Sequence, residues 1–146
     1  MRNGKEQIQF RTCNHPQEWK TIREDVFIKE QGFHNEFDDI DERAIHICAY
    51  LGAQAIGCLR LYTDDPKKES YHLGRLALQK AYRHQKIGSQ LVIYAEKKLR
   101  LLNAKEVLLD AQCYLQHFYE SLGYSVNGEI FYDEHVPHIP MHKFFY

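Results

Sequence analysis

The chain has 146 residues, 44% of them hydrophobic and 27% charged, with 19 basic and 20 acidic side chains and a formal net charge of −1. That composition predicts one globular domain over 1–146 with a sizeable core, and it excludes a disordered chain. The near-neutral balance gives no reason to expect nucleic acid or an anionic membrane as a partner, and no stretch reaches the roughly eighteen apolar residues of a membrane span.

The leading residues Met1–Glu6 lack the apolar run of a signal peptide, so cytoplasmic residence is the default expectation. Ile8–Arg11 reads as a first strand. Asn14-His15-Pro16 reads as a helix start with proline at its first position, and Trp19, Ile22, Val26 and Phe27 give that helix an apolar face that ends at Gly32. The segment Phe33–Arg43 is acidic and irregular. Ile45–Tyr50 and Ala55–Tyr62 form two strands of a hairpin through Leu51–Gln54, and Asp64–Lys68 is a turn.

Tyr71–Leu78 is the next strand, and it runs into the basic loop Tyr82–Ser89. From Ile87 the residues Ile87, Leu91, Ala95, Leu99 and Leu102 recur at helical spacing, with Glu96, Lys97, Lys98 and Arg100 opposite and Asn103 as a stop. Val107–Ala111 is a buried strand, Leu115–Leu122 a short helix closed by Gly123, and Tyr124–Val126 and Ile139–Phe145 supply the last strands. The order β-α-β-β-β-α-β-α-β-β is that of a mixed α/β sheet with helices packed on it.

The strand Leu73–Leu78 and the loop after it carry the strongest functional signal. Backbone N–H groups at a helix start, with Arg83 and Lys86 beside them, suit a phosphate anion. A second motif, Phe118-Tyr119-Glu-Ser-Leu-Gly123-Tyr124, follows about thirty residues on. The four cysteines, Cys13, Cys48, Cys58 and Cys113, show no close pair and read as reduced, mostly buried thiols. His135, His138 and His142 sit among Pro137 and Pro140, which forbid a helix aligning them, so no metal site is expected.

With these motifs in order, the chain resembles the GNAT N-acetyltransferase superfamily. Arg83-His-Gln-Lys86-Ile-Gly88 is similar to its phosphate loop, Arg/Gln-x-x-Gly-x-Gly/Ala, with Lys86 in place of the first glycine. Lys86 lacks glycine's access to φ > 0, so a differently shaped loop is expected there. Arg23-x-x-Val-Phe-Ile-x-Glu-Gln-Gly32, Asp38-x-x-Asp41, His46, Asp110-Ala-Gln-Cys113 and the tail from Gly128 to Met141 look like the small bacterial ElaA/YjcF-like branch. The resemblance implies a mixed, mostly antiparallel sheet splayed at a central strand, with helices on both faces.

The resemblance also implies acetyl-CoA as cofactor and a primary amine of a small molecule or peptide as acceptor, attacked directly in a ternary complex. Pantetheine would pair with Leu76, Ala77 and Leu78, where the family's strand carries a bulge. The phosphates would lie on Arg83, His84, Gln85, Lys86, Ile87, Gly88 and Ser89. Tyr119 occupies the general-acid position, or else it is a core aromatic beside Phe118. Glu30, His46 and His72 are candidates for the base, each with a purely structural alternative, as is a water chain leading out of the site. Cys113, with His117 four residues on, is either an acyl-carrying nucleophile or an unreactive core thiol.

The acidic stretch Glu36–Glu42 either steers a cationic substrate or is a solvated loop. The rival functions are a non-catalytic coenzyme A-binding domain on the same fold and an acyl-homoserine-lactone-like synthase. The aromatic tail Phe144–Tyr146 reads either as a homodimer edge or as a packed C-terminus.

Overall fold

The computed structural model describes residues 7–146; Met1–Glu6, read above for a leader, lie outside them. The strands are β1 (Ile8–Thr12), β2 (Ile45–Leu51), β3 (Gln54–Tyr62), β4 (Ser70–Leu78), β5 (Glu106–Gln112), β6 (Ser125–Val126), β7 (Phe131–Asp133) and β8 (Val136–Phe144). The α-helices are α1 (Pro16–Arg23), α2 (Ile87–Leu101) and α3 (Gln116–Ser121). Eight strands form one sheet in the order β1-β2-β3-β4-β5-β8-β6, with β7 also on β8. The β4–β5 pair is parallel, while β5, β6 and β7 meet β8 antiparallel, as β1 meets β2 and β2 meets β3. Among the described residues no helix is long and apolar enough to cross a membrane.

The chain divides into two compact units, each described by itself. The first is Met1–Leu61 with Arg75–Ala95, and the second is Tyr62–Gly74 with Glu96–Tyr146, so β4 and α2 each run through both.

In the first unit α1 begins as its sequence dictates. Pro16 occupies the first turn, and Glu18 Oε1 accepts the N–H groups of Asn14 and His15 at 3.0 and 3.1 Å, satisfying donors a helix start otherwise leaves open. The helix does not continue as a plain α-helix to Gly32. From Glu24 to Glu30 it is a π-helix, ended by Gly32 at φ 79°. Its apolar face buries Trp19, Ile22, Val26 and Phe27 as the spacing predicts, and Ile47, Tyr50, Ile56 and Leu59 of the hairpin are fully buried with Ile87, Leu91 and Val92 of α2.

One expectation fails here for a topological reason. Cys13 and Cys48 form a disulfide instead of lying reduced, because β1 and β2 pair in the register Thr12↔Ile47 and bring their Cα atoms to 5.1 Å. Cys58 and Cys113 remain thiols.

In the second unit Leu73, Leu99, Val107, Leu109, Ala111 and Met141 make the core. Glu96, placed on the polar face of α2 by its spacing, is instead buried. Its carboxylate accepts the Tyr124 hydroxyl at 2.9 Å and the Lys143 ammonium at 2.8 Å, which compensates the buried charge. β7 is a strand the sequence reading lacks. It forms a hairpin with the start of β8, turning at Glu134 (φ 53°), and Pro137 and Pro140 lie inside β8.

Candidate functional site

The parallel ladder of β4 with β5 covers Ser70–His72 against Glu106–Leu108 and stops. Three residues further, Arg75 adopts φ 54°, a left-handed kink inside a strand that costs a non-glycine residue about 1 kcal/mol. Such a kink re-aims the backbone groups that follow, here those of Leu76, Ala77 and Leu78. On the β3 side the approach is tight: a Cβ on Gly57 would clash with Leu78 Cδ2 and stand 3.2 Å from the Ala77 carbonyl oxygen.

The loop after β4 is wound by two further left-handed residues, His84 (φ 64°) and Lys86 (φ 63°). Lys86 therefore takes the conformation a glycine would take, and the differently shaped loop expected from its side chain is not what forms. The cost, about 1 kcal/mol, is one that surrounding contacts can sustain. The first hydrogen bond of α2 runs from Gln90 N–H to Lys86 C=O at 3.1 Å, so the N–H groups of Ile87, Gly88 and Ser89 stand ahead of the helical ladder. They follow the left-handed turns and lie at the positive end of a fifteen-residue helix.

Arg83 has other partners. Its Nε and Nη2 donate to the Leu78 carbonyl at 3.1 and 3.0 Å, and its Nη1 and Nη2 grip both carboxylate oxygens of Glu30 at 2.6 and 2.7 Å. The bond to Arg83 holds the Glu30 carboxyl below its ordinary range, which makes it a weaker proton acceptor.

His46 is similarly engaged. It stacks on Trp19 at 3.9 Å between ring centroids, its Nε2 lies 2.9 Å from the Asp41 carbonyl, and burial lowers its pKa against the pull of that bond. This is the backbone-satisfied histidine of the structural alternative. His72 lies on β4 in the second unit, stacked on Tyr62 at 4.8 Å.

The acidic segment follows neither reading offered for it. Arg23, fully buried, donates to Glu36 Oε2 (2.8 Å), Asp41 Oδ1 (2.7 Å) and Asp41 Oδ2 (3.1 Å). Arg60 donates to Asp38 (2.6 Å) and Asp41 (2.9 Å), and Arg75 pairs with Glu36 at 3.0 Å. Three guanidinium groups thus neutralise three carboxylates, leaving Asp39 and Glu42 to solvent. Burial works against ionisation of Asp41, yet its bonds to Arg23 and the Arg23 charge hold it down to about 2. Burial pushes Glu36 up against Arg75 and Arg23. Sequence reasoning missed this network; the signal was an acidic run facing arginines of three other elements.

In the second unit Tyr119 lies on α3, 6% exposed, with its ring against Phe118 and Tyr124 at 4.9 and 5.8 Å. Burial, with the nearby Tyr114, raises its hydroxyl pKa, so the group keeps its proton at neutral pH. Cys113 opens a short 3-10 turn (Cys113–Leu115), but His117 is 97% exposed and bonds Glu120 at 2.9 Å. His142 Nδ1 lies 2.9 Å from Glu106 and His138 Nδ1 3.0 Å from the Val136 carbonyl, and no metal-holding group of three occurs among the described residues.

The acetyltransferase (GNAT) domain family matches residues 10–145. Protein ElaA of Escherichia coli is 30% identical over 125 residues, covering 80% of this chain and 78% of that protein, and its crystal structure superposes with a TM-score of 0.82 at 25% identity, covering 94% and 99% of the two chains. A structure from Lactobacillus plantarum, described as that of a candidate N-acetyltransferase, reaches 0.86 at 26% identity, covering 94% and 97%. An aminoglycoside 6′-N-acetyltransferase complexed with coenzyme A shares the fold, with a TM-score of 0.73 at 18% identity over 94% of this chain and 96% of that one. With its family match spanning nearly the whole chain, the protein belongs to the GNAT acetyltransferase family and is an acyltransferase of that fold.

Proposed function

We propose that the chain is a single-domain, cytoplasmic N-acetyltransferase that moves the acetyl group of acetyl-CoA to a primary amine of a small molecule or peptide. The observation that carries this reading is the pair of features around β4: a ladder that stops at His72, and a loop that delivers the N–H groups of Ile87, Gly88 and Ser89 to one end of α2. The residues suit the coenzyme by their donor chemistry. Main-chain N–H groups and the Lys86 ammonium match a pyrophosphate, and the backbone of Leu76–Leu78 matches the amides of a pantetheine arm. The segment Arg83–Ser89, with His84 and Gln85 in the turn, frames the phosphate end.

Acetyl-CoA, when bound, supplies a thioester whose acyl carbon is open to an amine. The chain's own contribution is to orient and to supply a proton. An N–H of Ala77 or Leu78, re-aimed by the Arg75 kink, is the donor to developing negative charge on oxygen. Tyr119 Oη is the proposed proton or hydrogen-bond donor to a departing thiolate; its burial raises the hydroxyl's pKa and makes it a weaker acid than a free tyrosine. The bond to Arg83 makes Glu30 a weaker base, and burial does the same for His46, so His72 or a chain of waters is the better acceptor for the amine proton.

The test is a thermal-shift titration with acetyl-CoA, CoA and ATP side by side. A ligand at about a hundred times its dissociation constant stabilises the native state by about 2.7 kcal/mol, so both CoA species should raise the melting temperature and ATP should not. Thiol release against a panel of amines then reads turnover, and Tyr119→Phe should lower kcat about a hundredfold with CoA binding intact. No shift with either CoA species refutes the reading. A shift with no turnover on any amine favours a non-catalytic coenzyme A-binding domain.

A further inference from the structure

Arg83 is, with Lys86, a basic side chain of the proposed phosphate loop, yet four of its donor contacts lie within the protein: two to Leu78 C=O and two to Glu30. Leu78 ends β4, and Glu30 ends the π-helix. A second tie joins the same elements, from Gln79 Nε2 to Asp25 Oδ2 at 2.9 Å, and the Gln79 N–H is itself fixed to the Ile56 carbonyl at 2.9 Å. The π-helix explains how one helix supplies both carboxylates. Its bonds run from i to i+5, which brings Asp25 and Glu30 toward one face, whereas in an α-helix the same spacing separates them by about 140°.

We infer that Arg83 is a positioning residue that locks the end of β4 to the π-helix and so presets strand and loop for coenzyme A, rather than a ligand of its phosphates. Asp25 and Glu30 are the other half of this clamp. The inference rests on the cofactor reading above and assigns a role to a helix that the chemistry itself does not use. The lowered pKa of Glu30 agrees with a pair that stays charged and closed at neutral pH.

The two roles predict opposite signs. If Arg83 bound phosphate, Glu30→Gln would remove a competing negative charge, free the guanidinium and tighten CoA binding. If Arg83 positions the loop, Glu30→Gln loosens it and weakens binding. Isothermal titration of the full chain with CoA should show Kd raised about fivefold by Glu30→Gln and less by Asp25→Asn. Glu30 and Asp25 are partly exposed, at 40% and 36%, so both variants should fold with melting temperatures near that of the wild type.

Arg83→Gln should raise the Kd for CoA and for pantetheine, measured by competition, by a similar factor; loss of a phosphate ligand would affect CoA alone. Unchanged or tighter CoA binding in Glu30→Gln overturns the clamp, as does an Arg83→Gln effect confined to CoA. A wild-type chain that does not bind CoA refutes the cofactor reading itself, and the clamp with it, whereas wild-type binding with unmoved variants refutes the clamp alone.

Discussion

Replacing Arg23 with Met keeps much of the side chain's volume but deletes the guanidinium that joins Glu36 to Asp41. Arg23 is 1% exposed and its partners 4% and 8%, so water cannot take over the lost bonds. Breaking one member out of a buried ionic set costs about 3–5 kcal/mol, because the remaining charges stay desolvated. The Asp41 carboxyl gives an independent scale. It is held at about 2 against an ordinary 3.8, and that difference is worth about 2 kcal/mol from all its partners together. A loss of about 3 kcal/mol at pH 7 is therefore expected, a large part of a typical domain's 5–15 kcal/mol. Urea unfolding followed by circular dichroism should show a midpoint lower by roughly 2 M.

The pH dependence has a definite sign. A carboxyl whose folded pKa is depressed stabilises the fold above its unfolded value and loses that contribution as pH falls toward the folded one. For Asp41 this window lies between 3.8 and about 2. The wild type loses the contribution there and the variant has little to lose, so the gap between them should narrow from pH 4 downward. Glu36→Gln added to Arg23→Met should recover part of the loss, since it removes a buried carboxylate left with Arg75 as its remaining ionic partner. A gap below about 1 kcal/mol at pH 7, or one that stays constant from pH 7 to pH 3, refutes the reasoning.

Two further outcomes follow from the backbone and the cysteines. Lys86→Gly should be more stable than Lys86→Ala by about 1 kcal/mol in chemical denaturation, the reverse of the usual order, because only glycine is unstrained at φ 63°. Both should weaken CoA binding at low salt, with the deficit shrinking as salt screens the missing charge. Thiol titration of the unfolded, unreduced chain should find two thiols, Cys58 and Cys113. Reduction of Cys13–Cys48, which closes a span of 35 residues, should cost about 3–4 kcal/mol on a chain-entropy basis, read as a lower urea midpoint.

Local signals carried much of the fold. The apolar period from Ile87 to Leu99 marks α2, and the β-branched and apolar runs mark β2 to β5, since both depend on neighbours within the same element. The failures are long-range. Glu96 occupies a polar position by spacing, and only Tyr124 and Lys143, brought in by later segments, make its burial tolerable. Pro137 and Pro140 exclude a helix as expected, and they lie in β8 with usable carbonyls: Asn127 N–H bonds to the Pro140 carbonyl at 3.0 Å.

At the candidate site the loop and strand were legible through their resemblance to a known motif. The clamp was not, because no helical period distinguishes seven π-helical residues from seven α-helical ones. Nor did the run Glu36–Glu42 show that its charges are already matched. Arg23, Arg60 and Arg75 come from α1, β3 and β4, and nothing near them in sequence announces it.

The π-helix also fixes how this region can vary in length. Each residue of an α-helix turns the chain by about 100°, and the wider π turn absorbs residues that an α-helix between the same ends would not hold. Deleting one residue between Glu24 and Glu30 would let the segment relax to the commoner helix and swing everything beyond it around the axis. Glu30 would then face away from Arg83 although no contact residue had been changed. Substitutions along this stretch act one side chain at a time, but a one-codon deletion acts on both ties at once.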